Sequence, residues 1–255
     1  AGGRWAREKT EHYVLVTNLD APTRAAVAKT LEAGWKTFAG SFPPPAQWRP
    51  QEVVVFAVRE EFLDWVKTFA PELGEKSDGF YDPAHDQLVF YERLDDLTGE
   101  RTREVTVHEA FHGYAARSLP RLPSWLDEGL ADSFGMESYA GKPSYQVPYL
   151  KTFAAEGSGY AQLRLKKLVD STYAEFHDRE HDEKERPYNY CRSWLVGRAL
   201  RAGEGSLAGV LAKLLGALAK PDGALRAREE VLDDATMKAL EKLIRREITS
   251  FLEGS

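Results

Sequence analysis

Two short runs of β-branched and aromatic residues, separated by a longer stretch of helical periodicity, open the chain. The runs predict strands at 12–17 and 53–58, because such side chains favour the pleated strand. Between them, apolar residues recur every three or four positions and predict a helix over 22–38, with Asp20 as its N-cap. The chain therefore begins as a small sheet with a helix between neighbouring strands.

The same alternation continues towards the middle of the chain. An amphipathic stretch predicts a short helix over 60–69, and two apolar runs, 79–81 and 87–91, flank a turn-rich segment and predict a hairpin. Helical patterns follow over 102–117 and from Ser124 onward.

No further strand is predicted beyond Tyr145, where helical patterns are interrupted only by short Gly-rich and Pro-containing segments. The predicted fold class is α+β, a small mixed β-sheet followed by an all-helical C-terminal part. The predicted domains are 1–140 and 141–255.

The composition argues against several classes of function. The 255 residues include 34 Lys and Arg against 40 Asp and Glu, a net charge of -6 that argues against a nucleic-acid partner. No apolar run reaches the roughly 18 residues of a spanning helix, so no membrane span is predicted. The single cysteine, Cys191, excludes an intramolecular disulfide and a multi-cysteine zinc cluster. The chain starts at Ala1 without an apolar leader, which leaves two interpretations open: an exported protein whose signal segment was removed, or a trimmed chain.

The segment His108-Glu109-Ala110-Phe111-His112 is an HExxH motif inside a predicted helix. A spacing of four residues puts both imidazoles on one helix face, where they can bind one metal ion. Glu109 points about a quarter-turn away and could contact a metal-bound water as a general base. The alternative is that two histidines face a polar groove and Glu109 forms surface ion pairs.

A third candidate ligand follows in the next predicted helix. Glu128 lies in its first turn, separated from His112 by 15 residues. A catalytic zinc is typically bound by three protein ligands and keeps one position open for water, and two histidines with one glutamate form an established set. The sequence thus predicts one zinc ion per chain, bound by His108, His112 and Glu128. Asp127 or Asp132 remains an alternative carboxylate ligand.

The segments HEAFH and PSWLDEGLADSF resemble the gluzincin metallopeptidases. More narrowly, they resemble a bacterial peptidase-MA-like family in which HExxH is followed by W-L-x-E-G-L-A. The likeness spans roughly residues 11–200 and implies a zincin-like fold, in which the helical part closes the active-site cleft. It also implies that His108, His112 and Glu128 are the zinc ligands and that Glu109 is the general base.

Two departures argue against aminopeptidase activity: the gap before Glu128 is short, and no G-x-M-E-N-type segment precedes the motif. The position six after His112 is Ser118 rather than a histidine, which excludes a metzincin.

Supporting roles are predicted for two more residues. Asp132 lies four residues after Glu128 and could accept the spare N–H of His108, as carboxylates often do behind a metal-bound imidazole. Tyr190, in a later helix, resembles the gluzincin tyrosine that donates a hydrogen bond to the oxyanion, and Tyr188 is its close competitor.

The remaining histidines and the single cysteine are predicted to have structural roles. His177 and His181 are spaced like a ligand pair but lie in a charged run, 177–186, that predicts a solvated surface. His12 and His85 have no partner nearby in the sequence, and Cys191 lacks an activating basic neighbour. The aromatic-rich strand segment 88–91 is predicted to be sheet core, with the alternative that its edge binds an extended substrate.

These observations predict a zinc-dependent metallopeptidase that acts on a peptide or protein by a Glu-assisted, zinc-activated water. Two other classes stay open: a zinc-containing peptide-binding module with little turnover, and an amidohydrolase that acts on a non-peptide amide.

Overall fold

A computed structural model describes residues 4–71, 78–92, 99–137, 147–155, 163–177 and 185–253. As far as they are described, residues 1–118 and 137–139 form one compact unit, and residues 119–136 and 140–255 form a second. The fold is mixed α+β, as predicted, with a small sheet in the first unit. The predicted domains, 1–140 and 141–255, stay a prediction.

The sheet of the first unit has five strands: β1 (Ala6–Lys9), β2 (Tyr13–Thr17), β3 (Gln51–Phe56), β4 (Gly79–Asp82) and β5 (Gln87–Tyr91). Their order is β1-β2-β3-β5-β4, parallel between β2, β3 and β5 and antiparallel at both edges. Leu15, Val53 and Leu88 lie side by side across the three parallel strands. Four of the strands and the hairpin were predicted.

Two features of the sheet differ from the prediction. β1 was not predicted, because its polar residues Arg7, Glu8 and Lys9 lack the apolar pattern of a strand. Of the two interpretations of residues 88–91, sheet core is confirmed and a free edge is wrong, since β5 is buried and pairs with β3 on one side and β4 on the other. The edge beside it belongs to β4.

Three helices cover the two faces of this sheet: α1 (Ala21–Ser41), α2 (Arg59–Phe69) and α3 (Glu100–Ser118). All three were predicted, and the Asp20 side chain caps α1 by accepting a 2.8 Å hydrogen bond from the backbone N–H of Thr23. On one face, Phe62 and Val66 of α2 pack against alternate residues of β3 and β5.

The opposite face carries α1 and α3. Strand side chains alternate between faces, so the buried Phe90 of β5 points to this side. On the same side, Phe38 of α1 packs edge-on against Phe111 of α3, with 5.5 Å between the ring centroids. Buried Ala110, Phe111 and Tyr114 fix one side of α3 in the core. This anchoring determines which way the HExxH side chains project.

In the second unit the described elements are helical: α4 (Ser124–Glu137), α5 (Val147–Ala154), α6 (Leu165–Val169), α7 (Tyr173–His177), α8 (Glu185–Ala202), α9 (Val210–Leu218), α10 (Gly223–Arg226) and α11 (Asp234–Glu253). The described residues beyond Tyr145 contain no strand, in agreement with the sequence pattern. α11 buries Leu240, Ile244 and Ile248 and packs against α5 and α8. Among the described helices, none is both long and apolar enough to cross a bilayer.

Candidate metal centre

The HExxH motif lies within α3, and both of its histidines are half-buried. The Nε2 atoms of His108 and His112 are 3.1 Å apart, and their ring planes stand at 77° to each other. Two nitrogen ligands at 2.0–2.1 Å from one tetrahedral ion would be separated by about 3.3–3.4 Å. The predicted sharing of one helix face is therefore confirmed, and the pair fits a common ion after a small ring movement.

Glu109, the candidate general base, is 7% exposed. It lies beside Gly79 at the start of β4: a Cβ built on Gly79 would be 3.2 Å from Glu109 Cγ and 2.7 Å from Phe90 Cβ. Sequence reasoning missed Gly79. The missing side chain lets the edge strand pass close to Glu109, and any larger residue would force one of these neighbours to shift.

Glu128 lies in the second turn of α4 and is half-buried. Its Oε1 accepts a long hydrogen bond of 3.5 Å from the Tyr190 hydroxyl of α8. The two helices approach closely at glycine: a Cβ on Gly129 would lie 2.8 Å from the carbonyl carbon of Ser193, and one on Gly197 would lie 2.9 Å from the backbone nitrogen of Leu130. The close contact between α4 and α8 therefore requires a glycine at position 129.

Tyr190 has a second polar neighbour, His177, whose Nδ1 lies 3.3 Å from the phenolic oxygen. Burial raises the pKa of Tyr190 well above its usual value, the negative charge of Glu128 raises it further, and Arg186 opposes the rise. The hydroxyl therefore keeps its proton and can act as a donor. The sequence placed His177 on a solvated surface and gave no sign of this contact; His181 lies outside the described residues.

Tyr188, the competitor of Tyr190, has aromatic surroundings. Its ring lies 5.1 Å from Tyr149 and 5.7 Å from Phe153, between centroids. These contacts are those of a packed side chain. Which tyrosine donates to an oxyanion stays a prediction.

Asp132 lies one turn after Glu128 in α4 and is 3% exposed. Burial is the largest cause of the raised pKa of Cys191 and of Tyr190, and the negative charge of Asp132 raises both pKa values further. A buried Cys191 with a raised pKa is a protonated thiol, which fits the packing role expected for it. The role of Asp132 behind His108 stays a prediction, as does the alternative of Asp127 as a ligand.

The described residues of the first unit contain two groups of candidate metal ligands. The first group is the pair His108 and His112, with Nε2 atoms 3.1 Å apart, and the second is Glu11, His12 and Glu32, with one ligand atom from each residue within 4.8 Å of the other two. Glu128 as the third ligand of the first group stays a prediction.

Comparison with protein-family models and with curated proteins finds no match for this chain. The likeness to gluzincins therefore rests on the two motifs alone.

Proposed function

We propose that the protein is a zinc-dependent metallopeptidase of the gluzincin type, with a zincin-like first part, that hydrolyses peptide bonds in a peptide or protein. The single observation that carries the proposal is the pairing of His108 and His112 on one face of α3, with their Nε2 atoms 3.1 Å apart; Glu128 is the third ligand that we propose. Glu109 beside this set is the residue type that such hydrolysis requires.

The donor set fits zinc. Two imidazoles and one carboxylate make three protein ligands, which is the composition of catalytic zinc sites that keep a position for water. All three side chains are half-buried rather than sealed in the core, so solvent can reach them. When bound there, zinc would supply a Lewis acid that lowers the pKa of a water and polarises the scissile carbonyl.

The chain's own residues supply the proton transfers. Glu109 accepts the proton of the attacking water and delivers it to the leaving amine. Tyr190 keeps its proton and donates a hydrogen bond to the developing oxyanion.

A turnover enzyme is favoured over a zinc-containing binding module. A purely structural zinc site fills its fourth position with protein and has no use for a carboxylate base next to a ligand. Glu109 is therefore the residue that separates the two classes.

The test is a metal and cleavage assay on the full chain. After chelation and reloading with zinc, we expect one zinc per chain and cleavage of a dye-quenched unfolded protein that the chelator abolishes and zinc restores. His108→Ala and Glu128→Ala should lose both. His85→Ala is the matched control, because this histidine lies in the exposed β4–β5 turn against Asp82. Absence of stoichiometric zinc would overturn the proposal.

A further inference from the structure

The second group of candidate ligands centres on His12, a histidine just before β2 that is 7% exposed. Its Nδ1 lies 2.6 Å from Glu32 Oε2, and its backbone N–H donates a 2.9 Å hydrogen bond to Glu32 Oε1. Thr10 donates a third hydrogen bond to the same carboxylate. One glutamate of α1 thus holds the histidine, its backbone and the turn that precedes it.

These contacts fix the tautomer of His12. Glu32 Oε1 accepts hydrogen bonds from the Thr10 hydroxyl and the His12 backbone N–H, and Glu32 Oε2 lies 2.6 Å from His12 Nδ1. A carboxylate that acts as acceptor throughout leaves the proton between the two side chains on His12 Nδ1. Nε2 is then the ring nitrogen whose lone pair can bind a metal ion.

The Nε2 atom faces a second carboxylate. Glu11 Oε1 lies 3.9 Å away, beyond hydrogen-bonding distance, and the Glu11 side chain is 77% exposed. Within the described part of the chain, Nε2 makes no hydrogen bond. Two metal–ligand bonds of about 2.0–2.2 Å can bridge a gap of this size.

We propose that His12 Nε2 and Glu11 Oε1 bind a divalent transition-metal ion, with Glu32 orienting the ring from behind. A carboxylate that accepts the far N–H of a ligating imidazole is the usual outer partner in such sites. Among divalent first-row metals, Cu²⁺ has the highest affinity for an imidazole–carboxylate pair, whereas Mg²⁺ and Ca²⁺ prefer oxygen ligands alone. Water completes the coordination, so the site binds more weakly than one with three protein ligands. This site does not depend on the proposed peptidase activity.

The ring of His12 is held before any ion arrives. Trp35 stacks on it at 3.5 Å between centroids and 19° between planes, and Trp48 stands edge-on at 6.0 Å. The Trp48 indole N–H also donates to the His12 carbonyl. A ligand that does not have to be reoriented loses less entropy on binding. The two indoles also provide a readout, because a bound Cu²⁺ ion would quench their fluorescence.

The experiment uses the full chain with His108→Ala and His112→Ala, so that the first group of ligands is disabled. Titration with Cu²⁺, followed by tryptophan fluorescence and equilibrium dialysis, should give one bound ion per chain with quenching. Adding Glu11→Gln should weaken this binding at least about tenfold, since it removes one of two protein ligands. Because the Glu11 side chain is exposed, the substitution should leave the fold intact. Glu60→Gln, an exposed glutamate of α2, is the matched control and should leave the affinity unchanged.

A second variant tests the outer partner. Glu32→Gln should weaken Cu²⁺ binding about 10- to 100-fold, as loss of such a partner typically does. Circular dichroism identifies any unfolding of this variant, in which case Glu11→Gln decides. No bound ion in the double-histidine variant, or an affinity that Glu11→Gln does not change, would overturn the proposal. Neither result depends on whether the protein cleaves peptides.

Discussion

Gly129 of α4 faces the backbone carbonyl of Ser193 in α8 so closely that no side chain fits between them. The contact is reciprocal, because Gly197, one turn further along α8, lies against the carbonyl of Gly129. Glu128 and Tyr190 are neighbours of these positions along their helices. The two small residues therefore set the distance between the candidate ligand and its hydroxyl neighbour.

Gly129→Ala is expected to destabilise the protein. The added methyl group would overlap the Ser193 carbonyl and push α8 away, and overpacking of this kind typically costs about 1–3 kcal/mol. Gly216→Ala is the matched control: this glycine of α9 has open space around its Cα, so alanine should raise the free energy of unfolding by about 0.5–1 kcal/mol. Chemical denaturation measures both. Equal effects of the two substitutions would contradict the packing argument.

Glu109→Gln is expected to separate metal binding from turnover. The amide has nearly the shape of the carboxylate but cannot accept the water's proton, so cleavage should fall by about 10²- to 10⁴-fold while zinc content stays at one per chain. Atomic absorption and the dye-quenched assay on the same sample measure both quantities. If the variant cleaved at a near-normal rate, Glu109 would not be the base.

Local features of this fold could be predicted because they depend on neighbours in sequence. The helix cap at Asp20 and the convergence of His108 and His112 follow from spacings of three and four residues, which set contacts within one helix. Helical periodicity likewise marked the buried stripe of α11.

What the sequence could not predict depends on contacts between distant segments. His12 and Glu32 are 20 residues apart, and nothing in either stretch indicates the pairing that a strand and helix bring about. The interior position of β5 depends on strand order, which a single hairpin pattern leaves open. The contact of His177 with Tyr190 was hidden for a related reason, because the charged run after His177 suggested a solvated surface.

Tyr190→Phe and Tyr188→Phe should distinguish the two candidate oxyanion donors. Loss of the Tyr190 hydroxyl is expected to lower kcat by about 10²- to 10³-fold with little change in KM, since its hydrogen bond would act mainly in the transition state. Tyr188 packs against Tyr149 and Phe153, so phenylalanine should preserve most of its contacts and the rate. Steady-state kinetics with zinc-loaded protein provides the comparison, and a larger loss in Tyr188→Phe would reverse the assignment.

Glu32→Gln should change how stability depends on pH. Because the folded protein holds the pKa of Glu32 below its unfolded value of 4.5, ionised Glu32 stabilises the fold above that pH, and the contribution disappears as the pH falls through the lower, folded value. The difference in Tm between the native protein and the variant should therefore be largest near neutrality and shrink below about pH 4.5.

Glu247→Gln should change the pH dependence of stability in the direction opposite to Glu32→Gln. Burial raises the pKa of Glu247 despite its contact with Arg198, so its ionisation opposes folding as the pH rises. Relative to the native protein, this variant should gain stability from low pH towards neutrality, whereas Glu32→Gln should lose it. Thermal melts in a chelator-containing buffer from pH 3.5 to 7.5 test both slopes without a contribution from bound metal. Parallel slopes for the two variants would contradict the hydrogen-bond account of Glu32.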